Sequence, residues 1–408
     1  MRRNLFVVTA VSFMGFTGFT LVMPFLPLYI TTLGVTDVGE VATWTGLCLG
    51  VTPAITAVLS PFWGRVADRF GRKLMVERSL VSFIVIMAAM AFVTRPWHVL
   101  ALRIALGFFA GYGGLAVAMA AESAPRDRMA SAIGRVQMAQ RLGPALGPVL
   151  GGLVAQMAGL RRAFFVTAGF YAIGFFLMLL LYEEPSRPRG GRDTAAGGHV
   201  TFRSALAFQN FFLVMAVIFG VQFADRSLGP ILPLYVAHRG VDPERVPLLS
   251  GALFSIAAGL GAVGNTLCGR ALRRFSARAL ITFGAGLGLL GLLLFTGASH
   301  AALLAIGMAI FGFGIGLALT AAYTAAGRVI PEGAQGAGFG LLTSAYLAAL
   351  AISPVIAGLL SARDLRLALL TNAAALGIVA LGAWKSMRGE DDGSRPVEAA
   401  RSTIIDEV

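Results

Sequence analysis

Gly64-Arg65-Val66-Ala67-Asp68-Arg69-Phe70-Gly71-Arg72-Lys73 places five charges in ten residues between two apolar runs, 41–62 and 74–94. Each run is long enough to cross a bilayer. Such a cluster belongs in water at a membrane surface, and its composition predicts a tight turn. Gly64 and Gly71 permit sharp backbone bends. Asp68 can hold neighbouring basic groups or a helix N-terminus, and Arg65, Arg69, Arg72 and Lys73 mark the cytoplasmic side.

Composition agrees with that reading. Of 408 residues, 57% are hydrophobic and 13% charged, with a mean hydropathy of +0.79. This is too little polar surface to enclose a soluble core, so the chain is expected to be an integral membrane protein whose main partner is the lipid bilayer. The net charge of +13 is spread in short clusters between apolar runs. That pattern reports orientation and anionic headgroups rather than nucleic acid. Cys48 and Cys268 lie inside separate apolar runs with no ligand spacing, so neither a disulfide framework nor a metal site is expected. No G-x-x-x-x-G-K-[ST] occurs, and Gly286-x-Gly288-x-x-Gly291 lies in an apolar span without a βαβ setting. No cofactor and no enzymatic activity are expected.

Residues 5–33 follow two arginines, as in a signal peptide, but the run is too long for one and its pattern returns later. With 41–62, 74–94, 97–120, 130–158, 161–182, 208–236, 246–268, 278–297, 300–327, 335–360 and 365–385 it makes twelve spanning helices. Loop arginines and lysines fall predominantly on the side of the opening stretch, which places both termini in the cytoplasm. The chain also repeats one plan at a spacing of 205–206 residues. Leu26-Pro-Leu-Tyr29 returns as Leu232-Pro-Leu-Tyr235, Gly64-Arg65 as Gly269-Arg270, and Pro148 as Pro354. The expected organisation is a six-helix bundle over 1–183, a cytoplasmic linker over 184–207, a second bundle over 208–387 and a cytoplasmic tail over 388–408.

The opening stretch resembles motif A of the major facilitator superfamily, roughly G-x-L-A-D-R-x-G-R-K, with Val66 the one departure. The resemblance implies two parallel six-helix halves with a substrate site between them near the midplane. It also implies that Gly64, Asp68, Arg69, Gly71 and Arg72 form a cytoplasmic latch. In that latch Arg72 pairs with Glu122, and Asp68 meets the start of the eleventh helix around 335–338. In the second half the motif has decayed: Arg273 stands for Asp68 and Ser276 for Gly71.

Gly134, Gly143, Gly147-Pro148 and Gly151-Gly152 match G-x8-G-x3-G-P-x2-G-G and resemble motif C, the signature associated with drug:proton antiporters. Glycines four apart make a face that another helix can approach closely, and a proline frees a carbonyl and permits a kink. Arg103 followed by Gly107 resembles the R-x-x-x-G core of motif B, which the resemblance links to proton transfer; the alternative is an arginine snorkelling to the outer surface. Arg141 lies near the midplane of the fifth span with Gln137 one turn earlier, and the Gly143/Gly147 face is turned about 100° or more away. Arg141 is therefore expected to face a cavity while the glycines pack.

Asp225-Arg226 sits one turn before Pro230 in the seventh span, with Gln222 a turn earlier. Asp225 is either the structural partner of an arginine, Arg103 or Arg226, or a proton carrier, since a carboxylate beside a cation can take up and release a proton. Proton coupling is thus expected at Asp225, Arg103 or Glu122. The substrate cavity is expected to draw on Arg141, Gln137, Gln222, Arg226 and the aromatic residues Phe108, Phe109, Tyr112 and Tyr346. Together the motifs resemble the twelve-helix drug:proton antiporter family. The resemblance implies a monomeric exporter of amphipathic small molecules, with protons as the coupled partner. A carrier of one organic anion is the rival, suggested by three intramembrane arginines against one carboxylate; a receptor or scaffold is the other.

Overall fold

The computed structural model describes residues 2–125, 129–184, 211–298, 300–330 and 335–387. Within these the chain is helical: α1 Arg2–Leu21, α2 Leu26–Thr31, α3 Val38–Phe70, α4 Arg72–Met90, α5 Pro96–Phe109, α6 Tyr112–Glu122, α7 Met129–Ala158 and α8 Leu160–Leu181, then α9 Phe211–His238, α10 Val246–Ala271, α11 Ala277–Gly297, α12 Ala301–Val329, α13 Gln335–Ser361 and α14 Leu365–Ser386. The tail over 388–408 and all of the linker but Glu184 lie outside the described residues.

Ten segments among the described residues are long and apolar enough to span a membrane, with α5 and α6 read as one, Pro96–Glu122. The other two spans are α4, which carries Arg72, Lys73, Glu77 and Arg78, and α7, which carries Arg135, Gln137, Gln140 and Arg141. The first span is α1 with α2, interrupted at 22–25. Twelve spans result, and the chain is an all-α, multi-pass membrane protein.

Local chemistry sets the ends. The Asp37 carboxylate accepts from the Glu40 N–H at 2.8 Å to open α3, and the Ser276 hydroxyl accepts from the Ala279 N–H at 3.3 Å to open α11. The expected polar turn at 64–73 contracts to one residue. Helix α3 runs to Phe70 and α4 begins at Arg72, with Gly71 alone outside at φ 100°. Gly64 does not bend; it is helical. A 33-residue helix is about 50 Å long, well beyond a ~30 Å hydrocarbon core, so the charges ride on its protruding end.

Two buried apolar clusters organise the packing. One draws on residues from Val7 to Tyr182; the other on residues from Phe211 to Met387, joined by Ile30, Val35, Val41 and Ala42. Each has a tyrosine at an equivalent place: Tyr29 donates to the Met90 carbonyl at 2.5 Å and Tyr235 to the Thr296 carbonyl at 2.6 Å.

The halves meet along two seams, α3 against α13 and α7 against α10. In both, glycine brings backbones together. A Cβ on Gly251 would strike the Pro148 carbonyl, and one on Gly46 would strike the Pro354 carbonyl. Likewise Gly152 abuts the Pro247 carbonyl and Gly358 the Ala42 carbonyl. These contacts lie in the parts of the helices away from Gly71, so the halves are drawn together at the end opposite the charged turn.

Candidate functional site

Asp225 sits at the middle of α9, where its Oδ2 lies 3.2 Å from Arg226 Nε, and both side chains are about a third exposed. Tyr346 on α13 is the next charge-sensing neighbour of Arg226. Arg141, on the exposed face of α7, is an electrostatic neighbour of Tyr323 on α12, which also neighbours Tyr346. Asp225 and Arg226 touch, and Tyr346, Tyr323 and Arg141, on α13, α12 and α7, lie within electrostatic range of one another or of that pair. Gln137 is exposed on α7 one turn from Arg141, whereas Gln222 is buried, at 4% exposure. Tyr323 was not a sequence candidate; its only signal was a tyrosine in an otherwise apolar span.

The glycines of α7 face elsewhere. Gly143, Gly147 and Gly151 press on Phe16, Thr17, Thr20 and Leu21 of α1, while Gly152 presses on α10. Thr20 Oγ1 donates to the Gly143 carbonyl at 3.3 Å. Gly134 meets nothing within contact distance. Beside Pro148, the Val149 N–H donates to Ser255 Oγ at 3.1 Å, a hydrogen bond from one half to the other.

The fourth span corrects two expectations. It is not one helix: α5 stops at Phe109 and α6 starts at Tyr112, with Ala110 extended and Gly111 at φ 116°. Nor is Tyr112 a cavity wall, because it is 7% exposed and packed against Phe16 and Phe83 inside the first core. Phe108 is 43% exposed and edge-on to Trp63, 5.6 Å between centroids; Phe109 is partly buried. Arg103 is 2% exposed, so it does not snorkel, and its charge neighbours are Cys48 and Tyr171 rather than Asp225. Its Nε and Nη2 are buried without a hydrogen-bond partner among the described residues. A buried, under-satisfied guanidinium is costly to keep.

At the charged turn Arg72 Nη1 lies 2.9 Å from Glu122 Oε1, the pair expected from the motif. Sequence reading missed the third member. The Glu184 carboxylate accepts from the Arg72 N–H at 2.9 Å, at the positive end of α4, where a carboxylate is stabilised by the unpaired N–H groups. Lys73 Nζ donates to the Leu179 and Tyr182 carbonyls that end α8, at 3.1 and 2.8 Å, and lies 3.7 Å from Glu77. Arg3 pairs with Glu183, whose backbone exchanges hydrogen bonds with Asn4. Arg69 lies over the Phe70 ring. The side chain of Asp68 and those at 335–337, its expected contact, are outside the described residues.

No ligating cluster of His, Cys, Asp or Glu occurs among the described residues. What the arrangement offers, among the described residues, is an ion pair at the middle of α9 and two halves that share a glycine-lined seam.

The Major Facilitator Superfamily matches the sequence over residues 5–346 and again over 262–406. Multidrug resistance protein MdtG of Serratia proteamaculans (strain 568) is 37% identical over 257 residues, which is 62% of this chain and 62% of that relative's own length. MdtG of Escherichia coli (strain SMS-3-5 / SECEC) is 35% identical over 257 residues, with the same coverage of both chains. Among solved structures, a bacterial homologue of the human lysosomal transporter Spinster, inward-facing and unoccupied, superposes with a TM-score of 0.80 at 16% identity. That match covers 94% of this chain and 96% of the other.

Proposed function

The chain belongs to the Major Facilitator Superfamily, and from that premise we propose that it exports drugs or other amphipathic small molecules across the cytoplasmic membrane in exchange for protons. Both termini face the cytoplasm, the bundles over 1–183 and 208–387 rock about a central site, and one copy of the chain suffices. The observation that carries the reading is the double use of α7. Its Gly143-to-Gly151 face is locked to α1, while Pro148 and Gly152 close on α10 of the other half. A helix fixed within its own half and releasable from the other is what alternating access requires.

With the charged turn on the cytoplasmic side, the halves are drawn together on the outer side, and the central groups open to the cytoplasm. Asp225 carries the proton. While ionised it pairs with Arg226; when protonated it releases Arg226 to Tyr346 and to substrate. Arg103, sealed in the first core, acts through the fourth span rather than by direct contact with Asp225. Glu122 belongs to the latch with Arg72. A specific organic anion is the second reading, favoured by the excess of arginine over carboxylate among the central groups, Arg226 beside Asp225 and Arg141 on the exposed face of α7.

Transport into proteoliposomes under an imposed pH gradient, with a cationic dye and an organic anion compared, tests the reading. The expected result is gradient-driven dye movement that stops when the gradient is dissipated. Anion movement without dye movement would select the second reading. Asp225→Asn should abolish gradient-driven transport while leaving substrate exchange without a gradient, and Asp225→Glu should retain part of the coupling. Full coupling in Asp225→Asn would return that residue to a structural role beside Arg226.

A further inference from the structure

The break in the fourth span leaves the last carbonyls of α5 without the N–H groups a continuous helix would bring them, among them those of Phe108 and Phe109. Both are taken by side chains. Trp63 Nε1 donates to the Phe108 carbonyl at 2.7 Å. Arg78 Nη2 and Ser79 Oγ donate to the Phe109 carbonyl at 3.0 and 2.7 Å. The Arg78 guanidinium also lies over the Trp63 ring, 3.6 Å from its centroid, so the cation is shielded by an aromatic face while it holds the carbonyl.

Beyond α4, which both pieces of the span touch, they are tied to different neighbours. Helix α5 is fastened to α3: Thr52 donates to the Arg103 carbonyl at 2.9 Å, Thr56 to the Gly107 carbonyl at 3.3 Å, and Gly107 fits against the Thr52 backbone. Helix α6 is fastened to α7 and α4, by Gln140 donating to the Gly113 carbonyl at 3.0 Å and by the Glu122–Arg72 pair. Arg78, on α4, sits at the joint between them. Its Nε and Nη1 are buried and have no hydrogen-bond partner among the described residues, so it holds donors in reserve for carbonyls that change angle.

We propose that Arg78 is a positioning residue for transport: with Trp63 and Ser79 it clasps the joint of the fourth span and fixes the angle between the piece bearing Arg103 and the piece bearing Glu122. The transport part of this inference rests on the exporter reading; the structural part does not. An arginine satisfied by snorkelling would reach for the membrane surface, whereas this one reaches a freed carbonyl inside the protein, that of Phe109. A helix needing only to span would run unbroken and need none of the three donors.

The test places spin labels at the exposed positions Trp97→Cys and Gly114→Cys, in protein with Cys48 and Cys268 replaced by alanine, reconstituted in nanodiscs. Arg78→Leu should broaden the distance distribution and shift it toward the roughly 25 Å of seventeen residues in a straight helix, and Arg78→Lys should recover part of the narrow distribution. In proteoliposomes carrying ethidium, Arg78→Leu should lower maximal turnover about tenfold with half-saturation changed less than about twofold. An unchanged distribution in Arg78→Leu overturns the clasp, and a changed distribution with normal turnover overturns its part in transport. If Arg78→Leu is not recovered folded, the double variant Trp63→Phe with Ser79→Ala, which removes two donors and keeps the charge, decides on the same readouts. Wild-type protein that moves no ethidium would count against the exporter reading, while the distance measurement still judges the clasp.

Discussion

The two halves share a plan and differ in how they use it. In the first, the spans equivalent to α9 and α12 are broken, at 22–25 and at 110–111; in the second, α9 and α12 run whole. Proline does not explain the difference. Pro24 and Pro27 accompany a break, yet Pro230 and Pro233, 206 residues on, sit inside a continuous helix. What differs is the use of glycine and the supply of donors. Both halves keep one close approach, Gly107 at Thr52 and Gly312 at Ala257, but in α12 Gly314 and Gly316 add further ones against Gly284 and Gly261. In the fourth span Gly111 and Gly114 touch nothing, and Gly111 supplies a left-handed φ instead. A break survives in a membrane only where buried groups receive the freed carbonyls. Arg78, Ser79 and Trp63 do so in the first half, where the second half has Phe283 and Gly284 at the spacing of Arg78 and Ser79.

The largest test of that contrast compares leucine at two kinds of glycine. Gly312→Leu forces a side chain into the Ala257 backbone, which cannot yield as a flexible side chain would. The expected cost is at or above the ~3 kcal/mol upper range of overpacking, enough to lose most monodisperse protein after detergent extraction. Gly114→Leu, at an open and exposed position, should leave yield and thermal midpoint unchanged. Equal tolerance at both would mean that the glycines of α12 do not serve contact.

A smaller effect is expected at the joint itself. Gly111→Ala meets no neighbour, so its cost is conformational alone, about 1–2 kcal/mol for a left-handed alanine. The thermal midpoint should fall by a few degrees, with normal yield. A midpoint equal to wild type would show that the break does not depend on Gly111.

Much of this was legible in the sequence and some was not, for physical reasons. Charge clusters between apolar runs defined the spans, and the Arg72–Glu122 pair followed from two motifs. The breaks were hidden because a membrane helix is apolar whether it faces lipid or protein, so hydrophobic period does not separate wall from core. Tyr112 was assigned to a cavity for that reason and lies in the first core. Arg78 is masked in the sequence because it falls only six residues after Arg72, within reach of the charged turn, although like Arg103 and Arg141 it is an arginine inside an apolar run. Glu184 was invisible because its partner is a backbone N–H. The cross-half bond of Ser255 was hidden for the same reason.

The seams between the halves sharpen the comparison further. Gly50 on α3 holds the position that Ser255 holds on α10, 205 residues on. A Cβ there would strike the Ala351 carbonyl and lie 2.8 Å from Val355 Cγ2. Gly50→Ser is therefore expected to prise the α3–α13 seam apart rather than add a bond, costing about 1–3 kcal/mol of the closed arrangement. In spin-label pairs across that seam, a longer distance should become the major population. A closed seam in Gly50→Ser would show that the two seams are interchangeable.

The smallest expected effect belongs to Ser255, and it isolates what the α7–α10 seam has that its mate lacks. The backbones approach in the same way in both seams, through Gly251 at Pro148 and Gly46 at Pro354. In the first of these a side chain, Ser255, reaches over to take an N–H, at Val149. Ser255→Ala keeps the packing and removes that acceptor, so the cost is one net hydrogen bond, about 0.5–1.5 kcal/mol, or up to roughly tenfold in the ratio of closed to open molecules. Because the Val149 N–H lies beside Pro148, where the helical ladder is disturbed, it has poor alternatives, which places the expected value in the upper part of that range. Labels at Gln156→Cys and Glu244→Cys, both at exposed positions beside the seam, would read the ratio from the weights of the short and long distances. Ser255→Thr keeps the hydroxyl and should hold the wild-type ratio, which separates loss of the acceptor from loss of fit. If Ser255→Ala leaves the ratio unmoved, the hydrogen bond is incidental to closure, and the two seams differ in sequence but not in strength.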